Sequence, residues 1–151
     1  MIIAFFGHSA YTARPYDEEK ILAFLTEKIG DEPARLFFCG NGAFDSFALY
    51  CGKKYQQAHT NTRLVLVLPE ISEESHNVRR ENYEGVYDEI LRPEIKDKPA
   101  RYVLSYRNKW MVEQSDYVVM YITHKSTVSH QAYRYAQRRK KPIFNLGKIE
   151  Y

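Results

Sequence analysis

The stretch RLFFCGNGAFD (residues 35–45) carries the pattern that decides the fold. Its first five residues form a short β-rich run, and a turn with two glycines then leads directly into a segment of helical period. Apolar side chains recur in that segment at steps of four, three, four and three, at Phe44, Ala48, Cys51, Tyr55 and Ala58. A strand, a glycine turn and an amphipathic helix in this order are typical of a parallel sheet covered by helices.

The same alternation continues on both sides of this stretch. Further β-rich runs lie at residues 2–6, 63–68, 117–122 and 143–145. Helices are expected from about Pro15 to Ile29 with Gly30 closing it, from about Tyr106 to Gln114, and from Thr127 to about Arg139. The sequence therefore predicts a single α/β domain over residues 1–151, in which a mainly parallel sheet has helices on both faces.

The segment 70–97 departs from this alternation, because it holds nine acidic residues against four basic ones. One interpretation is a mobile lid. The other is a solvated loop followed by a surface helix, whose buried side would comprise Tyr83, Val86, Tyr87, Ile90 and Leu91.

The composition excludes several classes of protein. The 151 residues include 22 basic and 19 acidic ones, and the net charge of +3 is too small to demand a nucleic-acid partner. Hydrophobic residues make up 44% of the chain, which argues against disorder and against a disulfide-stapled miniprotein. The apolar runs are too short for a membrane helix and the N-terminus lacks the pattern of a secretory signal, so we expect a cytoplasmic protein that begins at Met1 and has no membrane partner.

Metal and redox chemistry find no support in the sequence. The two cysteines, Cys39 and Cys51, are not part of a C-x-x-C pair, and the five histidines show no metal-binding spacing. We therefore expect no metal site.

Four segments follow predicted strands or precede predicted helices with residues suited to a ligand. In a doubly wound sheet the ligand lies outside the carboxyl ends of the strands, so these segments should converge in space. They contain Gly7, His8 and Ser9; Gly40, Asn41, Gly42, Ala43 and Asp45; Arg107; and the loop from Thr123 to His130.

The glycine turn at residues 40–42 has two interpretations. Its glycines would let the backbone approach a phosphate at a helix N-terminus, but a strand-to-helix turn also needs glycine merely for its positive φ. Asp45 would repel a phosphate, so we expect it to take a ribose hydroxyl or a base amine, or only to support the positive end of the helix.

Arg107 and the loop before the last helix are further candidates for binding an anion. Arg107 could clamp a phosphate bidentately, and its alternative is a surface arginine paired with the acidic segment. Ser126 and Thr127 could donate to an anion at a helix N-terminus, or either could only be an N-cap.

Two other patterns carry less weight. A Ser-His-Asp triad could be drawn from Ser9, His130 and Asp45, although a list of this length nearly always supplies one. Basic residues between Lys125 and Lys141, interleaved with tyrosines and without an acid, are similar to a nucleic-acid patch. The alternative is the charged side and cationic C-terminus of an ordinary surface helix.

Three segments of this chain resemble an uncharacterised bacterial branch of the SLOG superfamily, which groups Rossmann-like proteins. The segments are FCGNGAFD (38–45), SYRNKWMVEQSD (105–116) and YRYA (133–136). The resemblance covers essentially the whole chain and implies a Rossmann-like fold, a nucleotide or nucleotide-derived ligand, and a homodimer. The superfamily also includes the Lonely Guy phosphoribohydrolases and the DNA-processing-A proteins.

The similarity to the Lonely Guy enzymes is limited to a few positions. Arg107, Met111 and Asp116 match their arginine helix, and Thr127 matches the threonine of their P-G-G-x-G-T-x-x-E loop. His130, however, falls on the glutamate of that loop. Cleavage of an N-glycosidic bond needs a carboxylate to stabilise positive charge or to activate water, and a histidine cannot supply negative charge.

The prediction is therefore that the chain binds a nucleotide-like, phosphorylated small molecule at the strand ends, with no cofactor. The sequence leaves two alternatives. One is a nucleotide N-glycosidase, for which Arg107, Asp45 and His130 are the candidate catalytic residues. The other is a module that binds single-stranded nucleic acid through the basic C-terminal region.

Overall fold

The computed structural model describes residues 1–69, 83, 85–94, 99–125 and 127–149. These residues form one sheet of six strands in the order β4-β3-β2-β1-β5-β6, and every neighbouring pair is parallel. The strands are β1 (Ile2–Gly7), β2 (Ala34–Phe38), β3 (Thr62–Val67), β4 (Glu89–Leu91), β5 (Tyr117–Tyr121) and β6 (Ile143–Asn145). The predicted α/β Rossmann-like architecture is confirmed.

Helices cover both faces of the sheet. They are α1 (Asp17–Ile29), α2 (Ala43–Ala58), α3 (Val103–Gln114) and α4 (Val128–Arg138), with a short 3-10 turn at Ala100–Tyr102 before α3. Alternate residues of β1 enter two separate cores: Ile3 and Phe5 pack with α1 and α2, whereas Ala4 and Phe6 pack with α3 and α4. Because both faces are buried, the central strands are continuously apolar.

The predicted helices are present, although α1 begins two residues later than expected. Tyr16 has a left-handed backbone with φ 77°, so the helix starts only at Asp17, and Pro15 precedes the first turn. Gly30 closes α1 as predicted, because its φ of 59° favours glycine and its N–H donates to the carbonyl of Thr26. The α3 helix starts at Val103 rather than near Tyr106.

The interpretation of residues 83–91 as a surface helix is wrong for the described part of that segment. Gly85 has φ 85°, which interrupts a helix, and Glu89–Leu91 is the edge strand β4. Pairing with β3 decides this outcome, since the N–H of Asp88 donates to the Leu64 carbonyl and Leu68 donates to the Leu91 carbonyl. The lid interpretation of 70–97 lies mostly outside the described residues.

Among the residues that the structure describes, each helix is too short or too polar to serve as a membrane-spanning segment.

Candidate functional site

A cavity of about 660 Å³ opens at the carboxyl ends of the strands. The loops after β1, β2, β3 and β5, the first two turns of α3 and the first turn of α4 surround it, so all four segments selected from the sequence contribute. The residues that line it are Phe6, Gly7, His8, Ser9, Ala10, Cys39, Gly40, Asn41, Asp45, Leu68, Pro69, Tyr83, Leu104, Arg107, Asn108, His124, Thr127, Val128 and Ser129.

The turn between β2 and α2 needs glycine for two reasons, its positive φ angles and the close approach of the loop after β1. Gly40 and Gly42 have φ of 80° and 97°, and a Cβ on Gly42 would lie 3.0 Å from the Cα of Ser9. The N–H of Ala43 donates to the Ser9 carbonyl at 3.0 Å. Gly40 and Asn41 line the cavity, whereas Gly42 and Ala43 do not; they join the loops after β1 and β2.

The side chain of Asp45, which lines the cavity, bonds the backbone of the same turn. Its carboxylate accepts hydrogen bonds from the N–H of Cys39 at 2.7 Å and of Gly40 at 2.9 Å. Burial raises the pKa of this carboxyl to about 6, against the opposing effect of those hydrogen bonds and of Arg107. Both carboxylate oxygens are therefore already engaged in hydrogen bonds with the backbone that follows β2.

Arg107 lies in the second turn of α3 and is buried. This burial excludes the alternative that Arg107 is a surface arginine paired with the acidic segment. Its Nη1 donates to the carbonyls of Val67 at 3.0 Å and Cys39 at 3.4 Å, and its Nε donates to Asn108 Oδ1 at 2.8 Å. Among the described residues, Nη2 has no hydrogen-bond partner. A bidentate clamp on phosphate would thus require breaking one of these bonds, because a fork needs two free nitrogens.

His8 links the loop after β1 to the loop after β5. Its Nε2 accepts a hydrogen bond from the N–H of Thr123 at 2.9 Å, which places the proton of the neutral ring on Nδ1. Within the described ranges, the buried Nδ1 has no partner. Burial, together with His124 and His130, lowers the pKa of His8 below its usual value.

The first turn of α4 forms another wall. Thr127 is the N-cap, since its Oγ1 accepts from the N–H of His130 at 3.0 Å, and Ser129 Oγ donates to the Gly7 carbonyl at 2.8 Å. The N-cap alternative for Thr127 is confirmed, and Thr127 also lines the cavity. Ser126 lies outside the described residues.

The structure does not assemble the Ser-His-Asp triad. Ser9 and Asp45 line the cavity, but His130 is not among the lining residues, and its ring packs on Tyr133 with centroids 5.9 Å apart. Burial and the nearby Arg134 and Lys125 lower the pKa of His130. Cys39 is no substitute nucleophile, because burial raises the pKa of its thiol to about 12.

Known proteins share this architecture. No family model and no curated protein matches the chain. DNA processing protein A from Helicobacter pylori superposes with a TM-score of 0.61 and 22% identity, over 96% of this chain and 64% of that one. The chain therefore has the fold of the matched part of DNA processing protein A.

Two further solved structures share this fold. DNA processing protein A from Streptococcus pneumoniae gives a TM-score of 0.62 at 13% identity over 95% of this chain, and the protein TM1055 gives 0.57 at 12% over 94%. The present chain spans 64% and 49% of the two DNA processing protein A chains. At these identities the three structures show the fold alone, which is the Rossmann-like fold that the resemblance to the SLOG superfamily implied. The Helicobacter pylori protein binds single-stranded DNA.

Some residues that line the cavity had not been selected from the sequence. Leu104 and Asn108 are the clearest cases. Both could have been found by helical spacing, because Leu104 lies three residues before Arg107 and four before Asn108, so that it shares a side of α3 with each of them. Leu68 and Pro69 follow β3, so their place at a strand end could also have indicated them, whereas Tyr83 gave no local signal.

In the described ranges, no three residues among the histidines, cysteines and acids are grouped so that they could hold a metal ion.

Proposed function

We propose that this chain binds a nucleotide or a nucleotide-derived phosphorylated ligand in the cavity at the strand ends. The observation that carries the proposal is the cavity itself. Its volume of about 660 Å³ falls within the usual range for small-molecule sites, roughly 300–1,000 Å³. Its position outside the carboxyl ends of parallel strands is where such folds bind ligands.

The polar part of the lining suits an anion. The first turns of α2 and α4 both border the cavity, and N–H groups in a first helical turn have no partner inside their own helix. Those of Ala43 and His130 already donate to the Ser9 carbonyl and to Thr127 Oγ1, so the anion would meet the other N–H groups of these turns. The positive ends of the two helix dipoles add to this preference. Arg107 supplies a buried cation with one nitrogen, Nη2, without a hydrogen bond among the described residues.

Asp45 does not prevent an anion from binding. Its two oxygens accept from backbone N–H groups of the turn, and burial raises its pKa to about 6. The same contacts make Asp45 a poor replacement for the missing carboxylate of a glycosidase. His130, which occupies the matching position, is not part of the lining. Binding is therefore favoured over N-glycosidic cleavage.

Isothermal titration with AMP, ADP and ADP-ribose tests the proposal. Asn41→Ala is the informative variant, because Asn41 is an exposed lining residue and its loss leaves the described contacts of the turn intact. Loss of one hydrogen bond to a ligand would weaken binding roughly three- to ten-fold. Asn61→Ala is the matched control, since Asn61 is exposed and bonds the Asp31 carbonyl away from the cavity. Absence of binding of all three compounds to the folded wild-type protein contradicts the proposal.

A second candidate function, the binding of single-stranded DNA, is favoured by the surface shared by α3 and α4. The ammonium of Lys109 lies 5.5 Å from the ring centre of Tyr106 and 5.6 Å from that of Tyr135, and the guanidinium of Arg138 lies 5.6 Å from Tyr135. Cations interleaved with aromatic rings suit a nucleic-acid strand. The likeness to a DNA processing protein A studied for this property adds support.

Salt dependence distinguishes this second candidate. In fluorescence anisotropy with oligo(dT), the double variant Arg138→Gln/Arg139→Gln should lower the slope of log Kd against log salt by about 1.4, if each arginine contacts one phosphate. Lys20→Gln/Lys53→Gln is the control, because it removes the same charge from exposed positions on α1 and α2. Equal slopes for the two double variants, or no binding at low salt, contradict the DNA-binding candidate.

The homodimer implied by the resemblance stays a prediction, which sedimentation velocity tests.

A further inference from the structure

The imidazole of His124 is exposed and yet held in a fixed orientation at the cavity. Its ring stacks on that of His8 with centroids 4.0 Å apart and planes 18° from parallel. Its Nδ1 lies 3.2 Å from Thr123 Oγ1, within hydrogen-bond distance. His124 is also one of the residues that line the cavity.

His8, on which the His124 ring stacks, is held in place by contacts of its own. His8 is buried, and its Nε2 accepts from the Thr123 N–H. The rings of His8 and Tyr121 pack edge to face, with centroids 6.0 Å apart and an angle of 82° between their planes. Tyr121, His8 and His124 thus form a series of rings that begins in the sheet and ends at the cavity.

An exposed side chain normally loses rotamer freedom when a ligand packs against it. The stack on His8 has already restricted His124, so a ligand would bind a ring that is ordered in advance. His8 covers one face of the His124 ring, and no other ring of the described residues stacks on it, so we take the other face as the one that meets the ligand. Flat bases stack on histidine in many nucleotide and RNA complexes, with little dependence on the identity of the base.

We infer that His124 stacks on the base of the ligand and so selects ligands that contain a planar heteroaromatic ring. This inference rests on the proposed function and adds the chemical class of the recognised group. The base would lie against the imidazole while the phosphate meets the first turns of α2 and α4. Leu104 and Val128, two apolar lining residues that are 46% and 38% exposed, would contact the edges of the base.

Two probes that differ only in the base separate this contact from phosphate binding. We would titrate AMP and ribose 5-phosphate into the wild-type protein, His124→Ala, His124→Phe and His59→Ala. His59 is the matched control, because its ring stacks on Tyr55 at 3.9 Å, its Nδ1 lies 3.0 Å from a carbonyl, and it does not line the cavity.

The expected result is that His124→Ala weakens AMP binding roughly five- to hundred-fold and leaves ribose 5-phosphate binding unchanged. His124→Phe should retain most of the affinity for AMP, and His59→Ala should bind both probes like the wild type. In proton NMR spectra of the wild-type protein, AMP should shift the His124 ring resonances upfield, because the base lies over the imidazole.

Two results would overturn the inference while the proposed function stands. The first is unchanged AMP affinity in His124→Ala; the second is an equal loss for AMP and ribose 5-phosphate. If the wild-type protein binds neither probe nor the other nucleotides, the proposed function fails and the inference fails with it.

Discussion

At the scale of single residues, the hydrogen bond by which His8 joins the loop after β1 to the loop after β5 depends on the protonation state of the His8 ring. Its Nε2 must keep a lone pair to accept from the Thr123 N–H, and a second proton there would remove the hydrogen bond. The protonated ring would also be buried beside His124 and His130. The structure therefore stabilises the neutral form.

The pH dependence of stability follows from this contact. The pKa of His8 is lowered in the folded state below its usual 6.5, so its contribution is complete above about pH 6.5 and is lost as the pH falls through the folded-state value. His8→Gln, whose amide oxygen can still accept but does not titrate, should show a smaller loss of unfolding free energy between pH 7 and pH 5. The hydrogen bond involved is worth about 1 kcal/mol.

Urea unfolding at several pH values measures this difference. His59→Gln is the control and should follow the wild-type curve. His130 contributes a dependence of the same sign, because its pKa is also lowered, so the variant is expected to keep part of the slope. Identical curves for His8→Gln and the wild-type protein would show that His8 is not the titrating group.

Arg107 has a structural role that any binding experiment must take into account. Arg107→Ala should lower the free energy of unfolding by about 2–4 kcal/mol, because the buried carbonyl of Val67 and the partly buried carbonyl of Cys39 lose a charged donor. Urea unfolding checks this value. A variant with wild-type stability would show that those carbonyls find other partners, and only then would a loss of ligand affinity in Arg107→Ala report directly on the site.

At the scale of the elements, α4 ends in a Schellman motif whose usual glycine is replaced by a lysine. The N–H of Lys140 donates to the Gln137 carbonyl, and that of Lys141 donates to the Ala136 carbonyl. Lys140 has φ 56°, a left-handed conformation that is unfavourable for residues with a Cβ. The helix therefore stores strain at its C-terminus.

Lys140→Gly should relieve this strain and raise the free energy of unfolding by about 1 kcal/mol. Lys140→Ala removes the same charge but keeps the Cβ, so it serves as the control and should give no such gain. Thermal and urea unfolding of the two variants provide the measurement. Equal stability of Lys140→Gly and Lys140→Ala would mean that the left-handed backbone costs nothing here.

At the scale of the whole molecule, the close packing of α2 on the end of β1 fixes one side of the cavity. A Cβ on Gly7 would lie 2.3 Å from Cδ2 of Phe44, a fully buried side chain of the core. Gly7→Ala should therefore destabilise the fold by about 1–3 kcal/mol. In a double-mutant cycle, Phe44→Leu should recover part of that loss, because the smaller side chain can move away from the new methyl group. Strictly additive effects would indicate that the backbone moves instead of Phe44.

The sequence predicted most of the sheet because buried parallel strands leave a local signature. Five of the six strands of the described sheet were located to within one residue at each end, since their apolar runs are bounded by turns. The strand Glu89–Leu91 was missed. It is short and rich in polar neighbours, and it becomes a strand only through pairing with β3, a contact that no local pattern records.

The convergence of the four segments was also predictable, because the carboxyl ends of parallel strands meet at one edge of the sheet. The roles of individual side chains were not. Thr127 has a role that local spacing could suggest, since an N-cap bonds a residue three positions later. The partners of His8, by contrast, lie more than a hundred residues away along the chain.

By itself, then, the sequence determined the α/β architecture, the helix termini marked by Gly30 and Thr127, and the edge of the sheet where the four candidate segments meet. All of these depend on periodicity, turns and caps, which act over a few residues. Only the tertiary structure decided that Arg107 and Asp45 hold strand ends, that His124 is stacked and exposed, and that Glu89–Leu91 joins the sheet. Those outcomes depend on contacts between distant parts of the chain, whose distances and geometry arise only when the layers pack together.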